Sequence, residues 1–149
     1  MAEPDFDIAI LGGGLAGLSL GAALAARPGP ALSTLVLEPR VQWRDGRVWS
    51  VFASQACFSD AAVVGRWPRW RIGRSDGRSA VGDAGPPLIA LRVQSLLEEA
   101  RETIGGSAHV RLAEGVRAGR VRRTAWGYEI ETSAGALSAR RVVDARPPA

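Results

Sequence analysis

The chain has 149 residues, a length that predicts about one domain. Its 46% hydrophobic and 23% charged residues are typical of a soluble globular protein and exclude a disordered one. Cys57 is the only cysteine and His109 the only histidine, so the sequence offers neither an internal disulfide nor a zinc-type cluster. A lone cysteine favours a reducing compartment.

All 19 basic residues are arginines, and with 15 acidic residues they give a net charge of +4. The arginines are spread from Arg27 to Arg146 and form no dense tract, so we expect no nucleic-acid partner. A mildly basic face near anionic lipid stays open as an alternative.

Residues 8–26 carry no charge, which is also a property of membrane spans and signal sequences. The preceding segment is acidic, however, and three consecutive glycines at 12–14 would interrupt a spanning helix. The same residues predict a buried strand at residues 6–11, a tight turn, and a helix at residues 15–26 that ends at Arg27-Pro28-Gly29-Pro30.

The rest of the chain alternates between sheet-forming and irregular patterns. A second buried strand is predicted at 33–37, closed by Glu38, which completes a βαβ unit. Residues 39–87 leave this pattern, with short strands predicted at 67–72 and 78–81. A helix at 92–104 follows, with one apolar face and with Gly105-Gly106 as its end.

The last third predicts strands. They are a strand at 110–112, three antiparallel strands at 116–122, 126–132 and 136–140, and a separate buried parallel strand at 141–144. The predicted fold class is therefore α/β, a partial Rossmann-type domain with a parallel sheet and an antiparallel β-meander crossover.

The pattern Gly12-x-Gly14-x-x-Gly17 lies between the first predicted strand and helix. Gly12 permits the sharp turn, Gly14 lets the backbone approach a diphosphate, and Gly17 permits close helix packing. The helix amides then face the phosphates, and Glu38 is correctly spaced to accept hydrogen bonds from a ribose. The alternatives are an ordinary glycine turn and a solvated strand end at Glu38.

The order of elements favours FAD over a nicotinamide cofactor. The glycines fall within the first 17 residues, and an irregular excursion and a meander precede the last parallel strand. A plain nicotinamide domain would continue with further alternating strands and helices.

Five segments then resemble the lycopene cyclase family of FAD-dependent flavoproteins, in particular the bacterial lycopene β-cyclases. These segments are 7–19 (DIAILGGGLAGLS), 35–40 (LVLEPR), 47–50 (RVWS), 67–72 (WPRWRI) and 141–146 (RVVDAR). The resemblance implies ring closure of lycopene or a related carotenoid to β-carotene without net redox change. It implies FAD that is reduced for activity, with NAD(P)H as a candidate reductant.

Carried onto this sequence, the resemblance implies a set of cofactor-binding residues and no catalytic or metal-binding ones. The set comprises Gly12, Gly13, Gly14, Leu15, Ala16, Gly17, Glu38, Pro39, Arg40, Arg47 and Arg92. Simple packing remains the alternative for Gly13 and Ala16, and a solvated surface charge is the alternative for each arginine.

The family's acidic Phe-Leu-Glu-Glu-Thr motif has no counterpart here. Leu96-Leu-Glu-Glu-Ala100 has similar letters, but Glu98 and Glu99 fall on the polar side of the predicted helix. Pro147 stands where the family has a glycine. The expectation is an incomplete FAD-binding domain over residues 1–149, with the substrate and catalytic half absent and no activity alone.

Two alternatives remain open. One is an FAD-dependent oxidoreductase of the related reductase and hydroxylase group, and the other is a non-catalytic FAD-binding fragment. The sequence identifies no partner chain. The expected location is cytoplasmic, with peripheral attachment to the inner face of the plasma membrane as an expectation from the carotenoid substrate.

Overall fold

The computed structural model describes residues 3–53, 58–82 and 85–147, so Cys57 lies outside the described residues. The chain divides into two units. The first unit takes in the described residues up to Trp43 and those from Leu97 onward, and the second comprises Arg44–Leu96.

The first unit is built on a six-stranded sheet. Its elements are β1 (Phe6–Leu11), α1 (Leu15–Ala26), β2 (Thr34–Glu38), β8 (Val110–Glu114), β9 (Ala118–Thr124), β10 (Gly127–Thr132) and β11 (Gly135–Asp144). The order of strands across the sheet is β8-β2-β1-β11-β10-β9. β8, β2, β1 and the second half of β11 are parallel, whereas β9, β10 and the first half of β11 are antiparallel. The predicted α/β fold with a meander is confirmed.

The central strands β1 and β2 hold the apolar runs 8–11 and 35–37 because both faces of the sheet are covered there. One set of side chains, including Ala9, Leu11 and Leu37, packs with Ile130 and Ala139 of the meander. The alternate side chains of β1 and β2 lie on the opposite face, where α1 packs. Burial on both faces explains why β1 and β2 have no polar alternation.

The first unit contains α1 and the part of α2 (Val93–Gly105) from Leu97 onward. α2 buries the apolar residues predicted for its inner face, including Leu97, Ala100 and Ile104. Gly21 of α1 lies where a Cβ atom would be 2.9 Å from Ile104 and 3.0 Å from Val36. A larger residue at Gly21 would therefore push α1 away from β2 and α2.

The second unit is antiparallel. β7 (Leu88–Arg92) lies between β3 (Val48–Phe52) and β4 (Val63–Trp67), and β5 (Trp70–Gly73) pairs with β6 (Ser79–Gly82) as a hairpin. Its core is small and consists of Ala62, Ile89 and Leu91 with partly buried neighbours.

The structure corrects several predicted elements. The strand predicted at 67–72 is wrong, because β4 ends at Trp67 and β5 begins at Trp70. Pro68 explains the break, since it has no N–H for a strand ladder. β3, β7 and all of β4 except Trp67 were not predicted, and Arg92 belongs to β7 rather than to α2.

The predicted boundary between strands 136–140 and 141–144 is also wrong. Both segments belong to the continuous strand β11, whose partner changes from β10 to β1 along its length. Trp126 precedes β10 and is 62% exposed. Within the described ranges, no helix has the length and apolar character needed to cross a bilayer.

Candidate dinucleotide-binding site

The turn after β1 is shaped by glycines. Gly12 has φ +101°, a conformation that L side chains rarely adopt, and its N–H donates to the carbonyl oxygen of Leu37 at 2.8 Å. A Cβ atom on Gly12 would lie 3.2 Å from the backbone of Ala145, just past β11. A Cβ atom on Gly17 would overlap the carbonyl oxygen of Gly12. Both glycines therefore let α1 begin directly on the turn.

Gly14 differs from these two, because it faces open space. It is the N-cap of α1, with extended backbone (φ −66°, ψ −177°), and a Cβ atom there would meet nothing within 4 Å. No side chain of the described residues caps the helix, and its first turn holds no acidic residue. The first amides of α1, beginning at Leu15 and Ala16, therefore form a positively polarised end beside a clear space.

Glu38 ends β2 and is 4% exposed, so the solvated strand end is excluded. Its Oε2 accepts hydrogen bonds from Gly13 N–H at 2.7 Å and Arg40 Nη2 at 3.3 Å. Its Oε1 accepts from Arg40 Nε at 2.7 Å and Arg40 N–H at 2.9 Å. Burial alone would raise the pKa of Glu38, but the bonds from Arg40 and Gly13 and the charge of Arg40 bring it below its ordinary value. The carboxylate is therefore charged at neutral pH.

Only glycine, which has no Cβ atom, allows residue 13 to lie this close to Glu38. A Cβ atom on Gly13 would lie 2.8 Å from Glu38 Cβ. Its carbonyl oxygen accepts from Arg40 Nη2 at 3.1 Å. Sequence reasoning did not predict this contact between the glycine turn and the strand-end acid, although a glycine at position 13, in the middle of three consecutive glycines, was a signal for it.

A second feature missed from the sequence links Arg40 to the end of β8. The guanidinium carbons of Arg40 and Arg101 lie 4.8 Å and 4.7 Å from the ring centroid of Trp43, and the Trp43 side chain is buried. Arg101 forms an ion pair with Glu114 at 2.5 Å. Aromatic and arginine side chains thus fill the space beside Glu38 at this edge of the sheet.

The last parallel strand brings a further ion pair to this edge. Leu11 and Asp144 are register partners, and Ala145 N–H donates to Leu11 O at 2.9 Å. Asp144 pairs with Arg146 at 2.6 Å, and the hydrogen bond from Arg146 lowers the pKa of Asp144. Arg146 also donates to the carbonyl oxygen of Ala118 at 3.2 Å, which ties the segment after β11 to β9.

The structure collects most of the predicted residues in the first unit: Gly12, Gly13, Gly14, Leu15, Ala16, Gly17, Glu38, Pro39 and Arg40. Arg47 and Arg92 belong to the second unit. There they lie at the same end of the sheet, because Val48 pairs with Arg92 and Val93 N–H donates to Arg47 O at 3.1 Å. Arg47 forms an ion pair with Asp45.

The arrangement fits an FAD diphosphate and ribose, with one rearrangement. The clear space at Gly14 and the free helix amides suit the diphosphate, and the charged Glu38 suits ribose hydroxyls. Gly13 and Arg40 already fill the roughly four acceptor positions of the carboxylate. A bound ribose would therefore displace the Arg40 guanidinium, whose side chain is 41% exposed.

Comparison with known proteins identifies the family. The profile described as lycopene cyclase protein matches residues 7–149, nearly the whole chain. The chain belongs to the lycopene cyclase family. A search of curated proteins found no significant match to this chain.

Solved structures share the fold at low identity. The amino acid oxidase NikD of nikkomycin biosynthesis is 14% identical with a TM-score of 0.71, and the match covers 99% of this chain and 52% of NikD. p-Nitrophenol 4-monooxygenase PnpA from Pseudomonas putida is 17% identical with a TM-score of 0.69, over 96% of this chain and 41% of PnpA.

PqsL from Pseudomonas aeruginosa, described as a probable FAD-dependent monooxygenase, is 18% identical with a TM-score of 0.59. The match covers 92% of this chain and 41% of PqsL. The chain therefore spans about half or less of the length of these three proteins.

Proposed function

We propose that this chain binds FAD through the glycine turn and Glu38 and supplies the cofactor-binding part of a lycopene β-cyclase. The observation that carries the proposal is the clear space at Gly14, beside the uncapped N-terminus of α1 and on the same sheet edge as the buried carboxylate of Glu38. The family match over residues 7–149 supports the cyclase assignment.

Each part of the turn has a distinct task in this proposal. The amides at the start of α1 hold the diphosphate by hydrogen bonds and by the helix dipole. Gly14 leaves room for the phosphate oxygens, and Glu38 orients the ribose. Reduced FAD, when bound, supplies negative charge that stabilises a cationic carotenoid intermediate in an apolar environment.

Among the described residues, no acid is assigned as the proton donor. Glu98 is exposed on α2 and Glu99 is partly exposed, and both lie outside the buried face of the helix. Alone, the chain is expected to form no β-carotene.

The test is a chimera in which this chain replaces the corresponding region of a full-length bacterial lycopene β-cyclase. In cells that accumulate lycopene, the chimera is expected to retain FAD and form β-carotene. A flavin-loaded chimera that forms none contradicts the cyclase assignment. Consumption of NADPH and oxygen with substrate turnover would instead identify an oxidoreductase, because ring closure consumes neither.

A further inference from the structure

The net charge of the chain is confined to the second unit. Between Arg44 and Leu96 there are eight arginines and four acidic residues, whereas the rest of the chain has eleven of each. The first unit is therefore neutral overall, and the second carries the whole excess of +4. A charge excess confined to the smaller unit indicates a local electrostatic role.

Most of this excess lies on the β5–β6 hairpin. We use the name arginine hairpin for residues 69–82, which hold Arg69, Arg71, Arg74 and Arg78 with Asp76 as the only acid. Arg74 forms an ion pair with Asp76 at 3.3 Å. Arg69, Arg71 and Arg78 are exposed and form no ion pair with any residue in the described part of the chain.

The same hairpin, and the end of β4 that precedes it in the chain, expose large apolar side chains. Ile72 is 50% exposed and Val81 is 59% exposed, and Trp67 at the end of β4 is 47% exposed. Trp70 is partly buried and lies 4.7 Å from Phe52, centroid to centroid, which holds the hairpin against β3. The hairpin thus presents unpaired guanidinium groups and exposed apolar side chains from one anchored element.

We infer that the arginine hairpin docks the protein on an anionic phospholipid surface. Guanidinium groups bind headgroup phosphates in bidentate fashion, while tryptophan and aliphatic side chains favour the headgroup–acyl boundary. The charge complementarity is with phosphodiesters, which nucleic acids also carry. The exposed Ile72, Val81 and Trp67 favour lipid, because these side chains gain burial only against an apolar phase. This inference does not depend on FAD binding.

The experiment is co-sedimentation of the purified chain with phosphatidylcholine vesicles, with and without phosphatidylglycerol. The chain is expected to bind only the vesicles that contain phosphatidylglycerol, and raising the salt should weaken binding. The triple variant Arg69→Gln, Arg71→Gln, Arg78→Gln is expected to bind these vesicles at least about tenfold more weakly than the unmodified chain, since each arginine near an anionic surface contributes to the binding free energy.

The matched control removes the same charge from the first unit, as Arg117→Gln, Arg120→Gln, Arg123→Gln. These three side chains are also exposed, and the control should bind within about twofold of the unmodified chain if the hairpin is the contact. Equal weakening by both triple variants would overturn the inference, because it would show only an effect of net charge. Circular dichroism checks that both variants fold.

A second variant tests the apolar contribution. Ile72→Ser with Val81→Ser keeps every charge, and we expect several-fold weaker binding that persists at high salt, since apolar burial is not screened. Failure of the unmodified chain to bind anionic vesicles overturns the inference. So does tighter binding to a DNA duplex than to vesicles at the same salt concentration, which would assign the hairpin to nucleic acid.

Discussion

The two units of this chain use their apolar residues differently. In the first unit, β1 and β2 bury continuous apolar runs on both faces of a parallel sheet. In the second unit, the strands keep large apolar side chains at the surface. Of the ten exposed large apolar residues in the described part of the chain, seven belong to this unit. In the first unit, close packing therefore makes even a small added side chain destabilising. The second unit tolerates side-chain substitutions over much of its surface.

The largest contrast is expected from a pair of glycine substitutions. Gly17→Val places a side chain on the carbonyl oxygen of Gly12, and since backbone cannot move aside by a rotamer change, unfolding free energy should fall by about 3 kcal/mol. A Cβ atom at Gly73 on β5 would meet nothing within 4 Å, so Gly73→Val should change the unfolding free energy by less than about 0.5 kcal/mol. Urea unfolding of both variants measures the difference, and equal losses would contradict the contrast.

The buried acid gives the next effect. Glu38→Gln removes a charged acceptor of several hydrogen bonds and should lower the unfolding free energy by about 2 kcal/mol at neutral pH. Glu131→Gln, an exposed residue of β10, is the control and should change it by less than about 0.5 kcal/mol.

This loss should depend on pH in one direction. The pKa of Glu38 is lowered in the folded chain, so its stabilising contribution is complete above the ordinary value of 4.5 and is lost as the pH falls through the folded-state pKa. The difference between the unmodified chain and Glu38→Gln should therefore shrink below about pH 4.5. A difference that grows on acidification would contradict the assigned charge state.

The smallest effect is expected at Arg40. Its side chain is 41% exposed, so solvent screens the ion pair with Glu38, and Arg40→Met should cost only about 0.5 to 1 kcal/mol. The pKa of Glu38 should rise, because the largest influences that lower it come from Arg40. Acid unfolding of this variant should begin at a higher pH than for Arg120→Met on β9, and an identical onset would contradict this role.

The same contrast explains how much the sequence could predict. The bounds of β1 and α1 agree with prediction to the residue, because an apolar run followed by glycines leaves few alternative structures. β3 was missed because four of its five residues are exposed and show no alternation. β7 was missed although Ile89, Ala90 and Leu91 are buried in a row, because so short an apolar run does not distinguish a strand from the start of the helix that follows it. β11 was divided in two because the change of partner from β10 to β1 leaves no mark in the residue pattern.

The candidate site also has a part that the sequence predicted and a part that it did not. The glycine spacing and Glu38 were predictable because they depend on backbone conformation and sequence distance. The hydrogen bonds from Arg40 to Glu38 and the contacts of Arg40 and Arg101 with Trp43 were not, because they depend on side-chain rotamers and on residues far apart in the sequence. Tertiary geometry alone brings these groups together.

FAD retention by two variants of Gly14 tests the central claim most directly. Asp and Asn are both good N-cap residues, and the space at Gly14 accepts either, so Gly14→Asp and Gly14→Asn should fold as stably as the unmodified chain. They differ in a single negative charge at the proposed diphosphate position. Equilibrium titration with FAD should show tight binding by the unmodified chain, weaker binding by Gly14→Asn, and at least about tenfold weaker binding again by Gly14→Asp. Equal affinity for FAD in all three proteins, or no affinity in the folded unmodified chain, would contradict the account.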